Sequence, residues 1–148
     1  MIADQIEREI TIDAPVDRVW ATLTSAEHLG KWFGDAGAEI DLKPGGSIVL
    51  RFKEFGAVLG RVEKVESPHT FTYRWGNGPG QDPSGSNATL VEFSLSPEGS
   101  GTKLRVVESG FLSLGIPDDK KSNAYEEHVG GWKSELDELR DYTQKLAA

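Results

Sequence analysis

What most constrains this chain is a change of period along it. From residue 36 to residue 109 apolar side chains recur at every second position. They fall in six segments: Ala38/Ile40/Leu42, Ile48/Leu50/Phe52, a stretch near 58–65, Phe71/Tyr73/Trp75, Val91/Phe93/Leu95, and Leu104/Val106 running on to Glu108. A period of two is that of strands with one buried face. The separators are turn formers: "KPGG" at 43–46, "EFGA" at 54–57, "SP" at 67–68, "GNGPGQDPSGSN" at 76–87 and "PEGSG" at 97–101. Connections this short join sequence neighbours, so the segments predict an antiparallel meander.

Other periods flank it. Ile6, Ile10 and Ile12 alternate within residues 5–13, a seventh strand, which Asp13-Ala14-Pro15 ends before a helix carrying Val16, Val19, Trp20 and Leu23 on one stripe. A second short helix closes near "KWFG" at 31–34. The final 30 residues place Tyr125, Val129, Trp132, Leu136, Leu139 and Leu146 at three- and four-residue steps, one long helix. Such a helix can bury its stripe only against the concave face of a curved sheet. The expected architecture is therefore α+β, in a single domain over 1–148.

Turns of a meander alternate between the two ends of the sheet. The loops at 33–37, 54–57, 76–87 and 110–118 should then share one end, bringing Phe33, Phe55, Phe111, Leu112 and Leu114 together. Apolar residues on loops predict an opening for an apolar guest.

Composition narrows the function classes. The chain contains no cysteine, which removes disulfides, thiol nucleophiles and cysteine-ligated metals. A net charge of −8 without a Lys/Arg cluster argues against nucleic acid as a partner. The amino-terminal "MIADQIEREITID" has no targeting pattern and no segment approaches a membrane-spanning apolar run, so a cytoplasmic protein without integral membrane association is expected. His28, His69 and His128 lack metal-ligand spacing, "GNGPGQ" lacks the helix and Lys-Ser/Thr of a phosphate loop, and no G-x-S-x-G elbow occurs. No metal or cofactor is implied.

"ITIDAPVDRVWATLTSAEHLGKWF", "KPGGSIVLRF", "GRVEKVESPHTFTYRW", "GTKLRVVESGF" and "GGWKSELDELRDY" resemble the START-like (SRPBCC) superfamily. Within it the chain is similar to the group named for homology to the activator of the ninety-kilodalton heat-shock protein's ATPase. The resemblance implies a helix-grip fold, a curved antiparallel sheet of about seven strands around a long carboxy-terminal helix, with an apolar cavity between them. It implies no single function, since similar folds include lipid carriers, hormone receptors and polyketide cyclases. The co-chaperone activity of the eukaryotic namesake involves a further amino-terminal domain, for which this chain has no room.

On this frame the expected cavity residues are Phe33, Phe52, Phe71, Tyr73, Trp75, Phe93, Val106, Glu108, Phe111, Tyr125, His128 and Trp132. Each aromatic residue taken singly is by default core. Alternation turns Glu108 inward, where an unpaired carboxylate is costly. Arg8 shares the face of Ile6 and Ile10, so an Arg8–Glu108 ion pair at the cavity mouth is expected; its blander alternatives are a pair that only closes the sheet edge, or two solvated strand ends. His128, one turn from both Tyr125 and Trp132, is either an acid/base group or a histidine bonded to a neighbour. Gly131, beside Trp132, leaves space for close packing or for a ligand, and Gly130 suggests a bend.

The leading reading is binding of an apolar small molecule or lipid by a monomer or homodimer. A cyclase-like enzyme using Glu108 or His128, and a protein-interaction module, are the alternatives.

Overall fold

The computed structural model describes residues 3–54, 56–78 and 80–147. Phe55, expected at the mouth, lies outside them. In chain order the elements are β1 (Gln5–Ile12), α1 (Val16–Thr24), α2 (Ala26–Trp32), β2 (Ala38–Ile40), β3 (Ser47–Phe52), β4 (Gly56–Glu66), β5 (Thr70–Gly76), β6 (Ala88–Glu98), β7 (Gly101–Ser109) and α3 (Asp118–Ala147). Single 3-10 turns stand at Gly85–Asn87 and Phe111–Ser113.

The strands form one antiparallel sheet in the order β1-β7-β6-β5-β4-β3-β2. Six strands are the meander itself. β1 joins at the β7 edge, with Ile6 opposite Glu108 and Arg8 opposite Val106. This is the helix-grip architecture that the sequence resemblance implied.

Alternation decides which side chains meet α3. On β5 and β6, Phe71 faces Phe93 and Tyr73 faces Val91 across the ladder, all buried. β4 keeps Val58 and Val62 inward and then shifts register between Val62 and Lys64, after which Val65 faces Phe71. The extra residue bends the strand, which is how a bulge helps a sheet to curl. The outward positions are charged and pair across strands, Glu7 with Arg105 at 2.9 Å and Glu63 with Arg74 at 3.3 Å. Exposed pairs of this kind add little stability, but they keep the convex face wet.

The two short helices close one end of the grip. Trp20 of α1 meets Phe71 edge-on at 6.4 Å, Trp32 of α2 donates its indole N–H to the Thr22 carbonyl at 2.8 Å, and His28 Nδ1 lies 2.7 Å from the Tyr142 hydroxyl of α3. The void left among Leu23, Leu29, Trp32, Phe71, Tyr73 and Phe93 is only about 10 Å³. That end is core.

The opposite end gathers the loops, as the meander requires. Backbone N–H groups tie them: Ala36 to the Arg51 carbonyl at 2.9 Å, Gly80 to Ala57 at 2.9 Å, Gly115 to Ser86 at 2.9 Å and Gly110 to Asp4 at 3.1 Å. Among the described residues no helix is long and apolar enough to cross a membrane.

Candidate functional site

Between these loops, the sheet and α3 lies a pocket of about 620 Å³. Its sheet side is Phe52, Val58, Trp75 and Gly76; its helix side is Glu127, His128, Gly131, Trp132 and Glu135; Phe33 and Gly78 come from the loops, and Glu108 from β7. Phe33 is the divider. It stacks on Trp32 at 5.0 Å toward the closed end and on Trp75 at 5.6 Å toward the pocket, and Trp132 stands 6.1 Å away.

Two glycines shape the walls for opposite reasons. A side chain at Gly76 would strike the Gln81 carbonyl oxygen at 2.8 Å and that of Leu59 at 2.9 Å, so the glycine lets the 77–87 loop close over the end of β5. A Cβ at Gly131 would meet no atom within 4 Å. Packing does not require that glycine, and α3 runs as one helix through Gly130 and Gly131.

The polar centre is Glu108, 1% exposed. Three side chains donate to its carboxylate: the Thr89 hydroxyl to Oε2, the Trp132 indole N–H to Oε1 at 2.8 Å, and His128 Nδ1 at 2.8 Å from both oxygens. Donors from β6 and from two successive turns of α3 thus satisfy the carboxylate that alternation turns inward. Burial by itself would lower the His128 pKa, but the hydrogen bond and charge of Glu108, with the charge of Glu127, outweigh it and hold the imidazole above its usual value. Its ring is 24% exposed, and Nε2 has no partner among the described residues. The Tyr73 hydroxyl is pushed well above the usual range by burial and then by the charges of Glu108 and Glu135.

The expected Arg8–Glu108 ion pair is not made. Arg8 stands opposite Val106, two residues along β7, and the carboxylate has its donors from β6 and α3 instead. Among the described residues Arg8 forms no ion pair. Sequence alternation identified the face of each residue but not which element crosses the sheet to reach it.

Of the other expected cavity residues, Phe33, Phe52, Trp75, Glu108, His128 and Trp132 line the pocket. Phe71, Tyr73 and Phe93 line the small void in the core, and Val106 is buried opposite Phe93. Phe111 and Tyr125 also stand away from the pocket. Phe111 is fully buried under α3, edge-on to Tyr125 at 5.3 Å and to His128 at 5.4 Å, and so backs the histidine ring.

Two pocket carboxylates were not foreseen. Glu127 is exposed at the mouth, and Glu135 has one oxygen, Oε2, buried without a hydrogen-bond partner. Burial, followed by the charges of Glu138 and Asp35, pushes the Glu135 pKa up to about 8. Its spacing carried the signal: Glu135 follows Trp132 by three residues and precedes Leu139 by four, which places it on the inward stripe.

Comparison with known proteins places these features in context. Residues 13–144 match the profile of the family described as "Activator of Hsp90 ATPase homolog 1-like protein". Among solved structures the chain is similar to CalU16 from Micromonospora echinospora, with 27% identity and a TM-score of 0.70 over 94% of this chain and 75% of that one. It is similar also to protein MLL2253 from Mesorhizobium loti, with 25% identity and a TM-score of 0.76 over 93% and 94% of the two chains. The Aha1 dimer from Colwellia psychrerythraea shares the fold at 23% identity, with a TM-score of 0.73 over 97% of both chains. No curated protein sequence matches the chain.

Proposed function

The chain belongs to the Activator of Hsp90 ATPase homolog 1-like family, and from this premise we propose that its pocket binds an apolar small molecule or lipid. The observation that carries the reading is the pocket of about 620 Å³ walled by Phe33, Phe52, Trp75 and Trp132. That volume suits a small-molecule site, and such sites pair apolar walls with a few placed polar groups. His128 is the orienting group. His128 gives its Nδ1–H to Glu108, so Nε2 is left to face a polar group of the guest, donating when the ring is protonated and accepting when it is neutral. The convex face, with its cross-strand ion pairs, has less to offer an apolar partner.

The test is thermal melting of the purified chain with naphthylethanol as an apolar probe. A saturable rise in Tm, absent in Gly131→Leu, is expected. No rise at saturating probe counts against the reading.

One observation favours a second reading, proton transfer on the bound guest. A histidine held in one orientation by a buried carboxylate is the arrangement of a general acid or base. It predicts a turnover that disappears in His128→Ala while ligand-induced melting shifts persist.

A further inference from the structure

The pocket lining is unbalanced in charge. It holds three carboxylates, Glu108, Glu127 and Glu135, and neither lysine nor arginine. His128 bonds the first of them and feels the charge of the second, but makes no bond to Glu135. Glu127, Gly131 and Glu135 follow one another at four-residue steps, so they form one stripe of α3 with the glycine between two acids. The recess left at Gly131, where a Cβ would find open space, belongs to a pocket also lined by the rings of Phe33, Trp75 and Trp132. Glu135 lines the same pocket, and its Oε2 is buried and lacks a donor among the described residues.

An ionised, donor-less oxygen in a buried setting is costly, and the group that removes that cost is a hydrogen-bond donor carrying positive charge. Aromatic faces attract the same kind of group through their quadrupoles. The net charge of −8 favours the approach of a cation over that of an anion.

We infer that the guest is an amine on an apolar body, its protonated nitrogen hydrogen-bonded to Glu135 within the field of Glu127 and its hydrocarbon against the Phe33, Trp75 and Trp132 rings. This rests on the pocket being the binding site, and it names the chemical class that the site selects. A tetraalkylammonium has no N–H to give the carboxylate, so the class is protonated primary, secondary and tertiary amines.

Proton linkage gives the inference its own readout. The groups that bear on Glu135 are Glu138 on its own helix, Asp35 from the 33–37 loop and Tyr73 from β5, while Glu108, Glu127 and His128 share its pocket. With burial and its acidic neighbours holding its pKa at about 8, Glu135 carries a proton at pH 7. A bound ammonium favours the carboxylate, so binding expels that proton. An alkylammonium of lysine-like pKa stays charged throughout this range. Its affinity should therefore climb with pH, by about tenfold from 6 to 7 and about fivefold from 7 to 8, and level off above.

The experiment is isothermal titration calorimetry of the full chain with naphthylethylamine, naphthylethanol and naphthylacetate, which share one ring system. At pH 7 it is run in two buffers of different ionisation enthalpy. The amine should bind at least about tenfold more tightly than the alcohol, naphthylacetate should bind most weakly, and the amine alone should release a proton. Glu135→Gln, which keeps shape and removes the titration, should retain alcohol binding and lose both the amine preference and the proton release. Equal affinity for amine and alcohol, or amine binding without proton release, overturns this inference and leaves the pocket reading standing. Failure of all three probes to bind overturns both.

Discussion

β5 runs through two different environments within seven residues. At its start Phe71 is 2% exposed and meets α1 and the rest of the closed end, where the remaining void is about 10 Å³; at its end Trp75 is half-buried beside about 620 Å³ of open pocket. The sheet and α3 are common to both. The difference is what fills the space between them. α1 and α2 supply Leu23, Leu29 and Trp32 to the closed end, whereas α3 presents Gly131 and acids to the other. A curved sheet is too wide for one helix, so the fold creates spare volume, and sequence decides which end keeps it.

The largest effects should fall on the closed end. Phe71→Ala or Phe93→Ala removes a ring from a close-packed region and is expected to cost about 3–5 kcal/mol in urea unfolding. Trp75→Ala should cost about 1 kcal/mol while weakening binding of an apolar probe. Equal costs at the two ends would erase the distinction.

The next effect belongs to Glu108, the carboxylate buried in the pocket wall. Glu108→Gln leaves His128 without its counter-charge and should destabilise by about 3 kcal/mol, as breaking a buried pair does. The His128 pKa, raised by Glu108 against the effect of burial, should then drop, which an NMR titration of the ring reads directly. Glu127→Gln, at the exposed mouth, should stay within about 0.5 kcal/mol of the parent.

A smaller effect is the dependence of stability on pH. Glu135 has a folded pKa of about 8 against an ordinary 4.5, so the folded chain holds a proton that the unfolded chain gives up. Its stabilisation is complete below 4.5 and is lost as the pH rises toward 8. His128, also raised, acts in the same direction: its contribution is present below 6.5 and is lost through its folded pKa. Unfolding free energy should therefore fall across this range, and Glu135→Gln should flatten its upper part. An unchanged slope would mean that Glu135 is solvated.

A small effect of the opposite sign is expected at the helix glycines. A Cβ at either position would meet no atom within 4 Å, so Gly130→Ala and Gly131→Leu should gain up to about 1 kcal/mol of helix propensity. Only Gly131→Leu should affect probe binding.

Much of the frame was legible in sequence, because period-two alternation and turn chemistry act locally. The seven strands, the loop cluster and the inward face of Glu108 followed from them. The bulge at Val62–Lys64 was not legible, since the apolar pattern simply skips a position there. Arg8 was assigned to Glu108 because strand pairing placed them on one face; the donors that satisfy the carboxylate come from α3 and β6, a tertiary choice that period does not encode. Glu135 is harder to read, because acids usually mark a solvated helix face. Its three- and four-residue spacing to Trp132 and Leu139 was the stronger signal.

The central claim is that one end of the grip is a binding site and the other is core. The four tryptophans divide evenly between them, Trp20 and Trp32 at the closed end, Trp75 and Trp132 at the pocket. The direct test is to follow the four indole N–H resonances while naphthylethanol is titrated. Saturable shifts of Trp75 and Trp132, with Trp20 and Trp32 unmoved, are predicted. Shifts confined to Trp20 and Trp32, or no shift of any indole at saturation, would contradict the account.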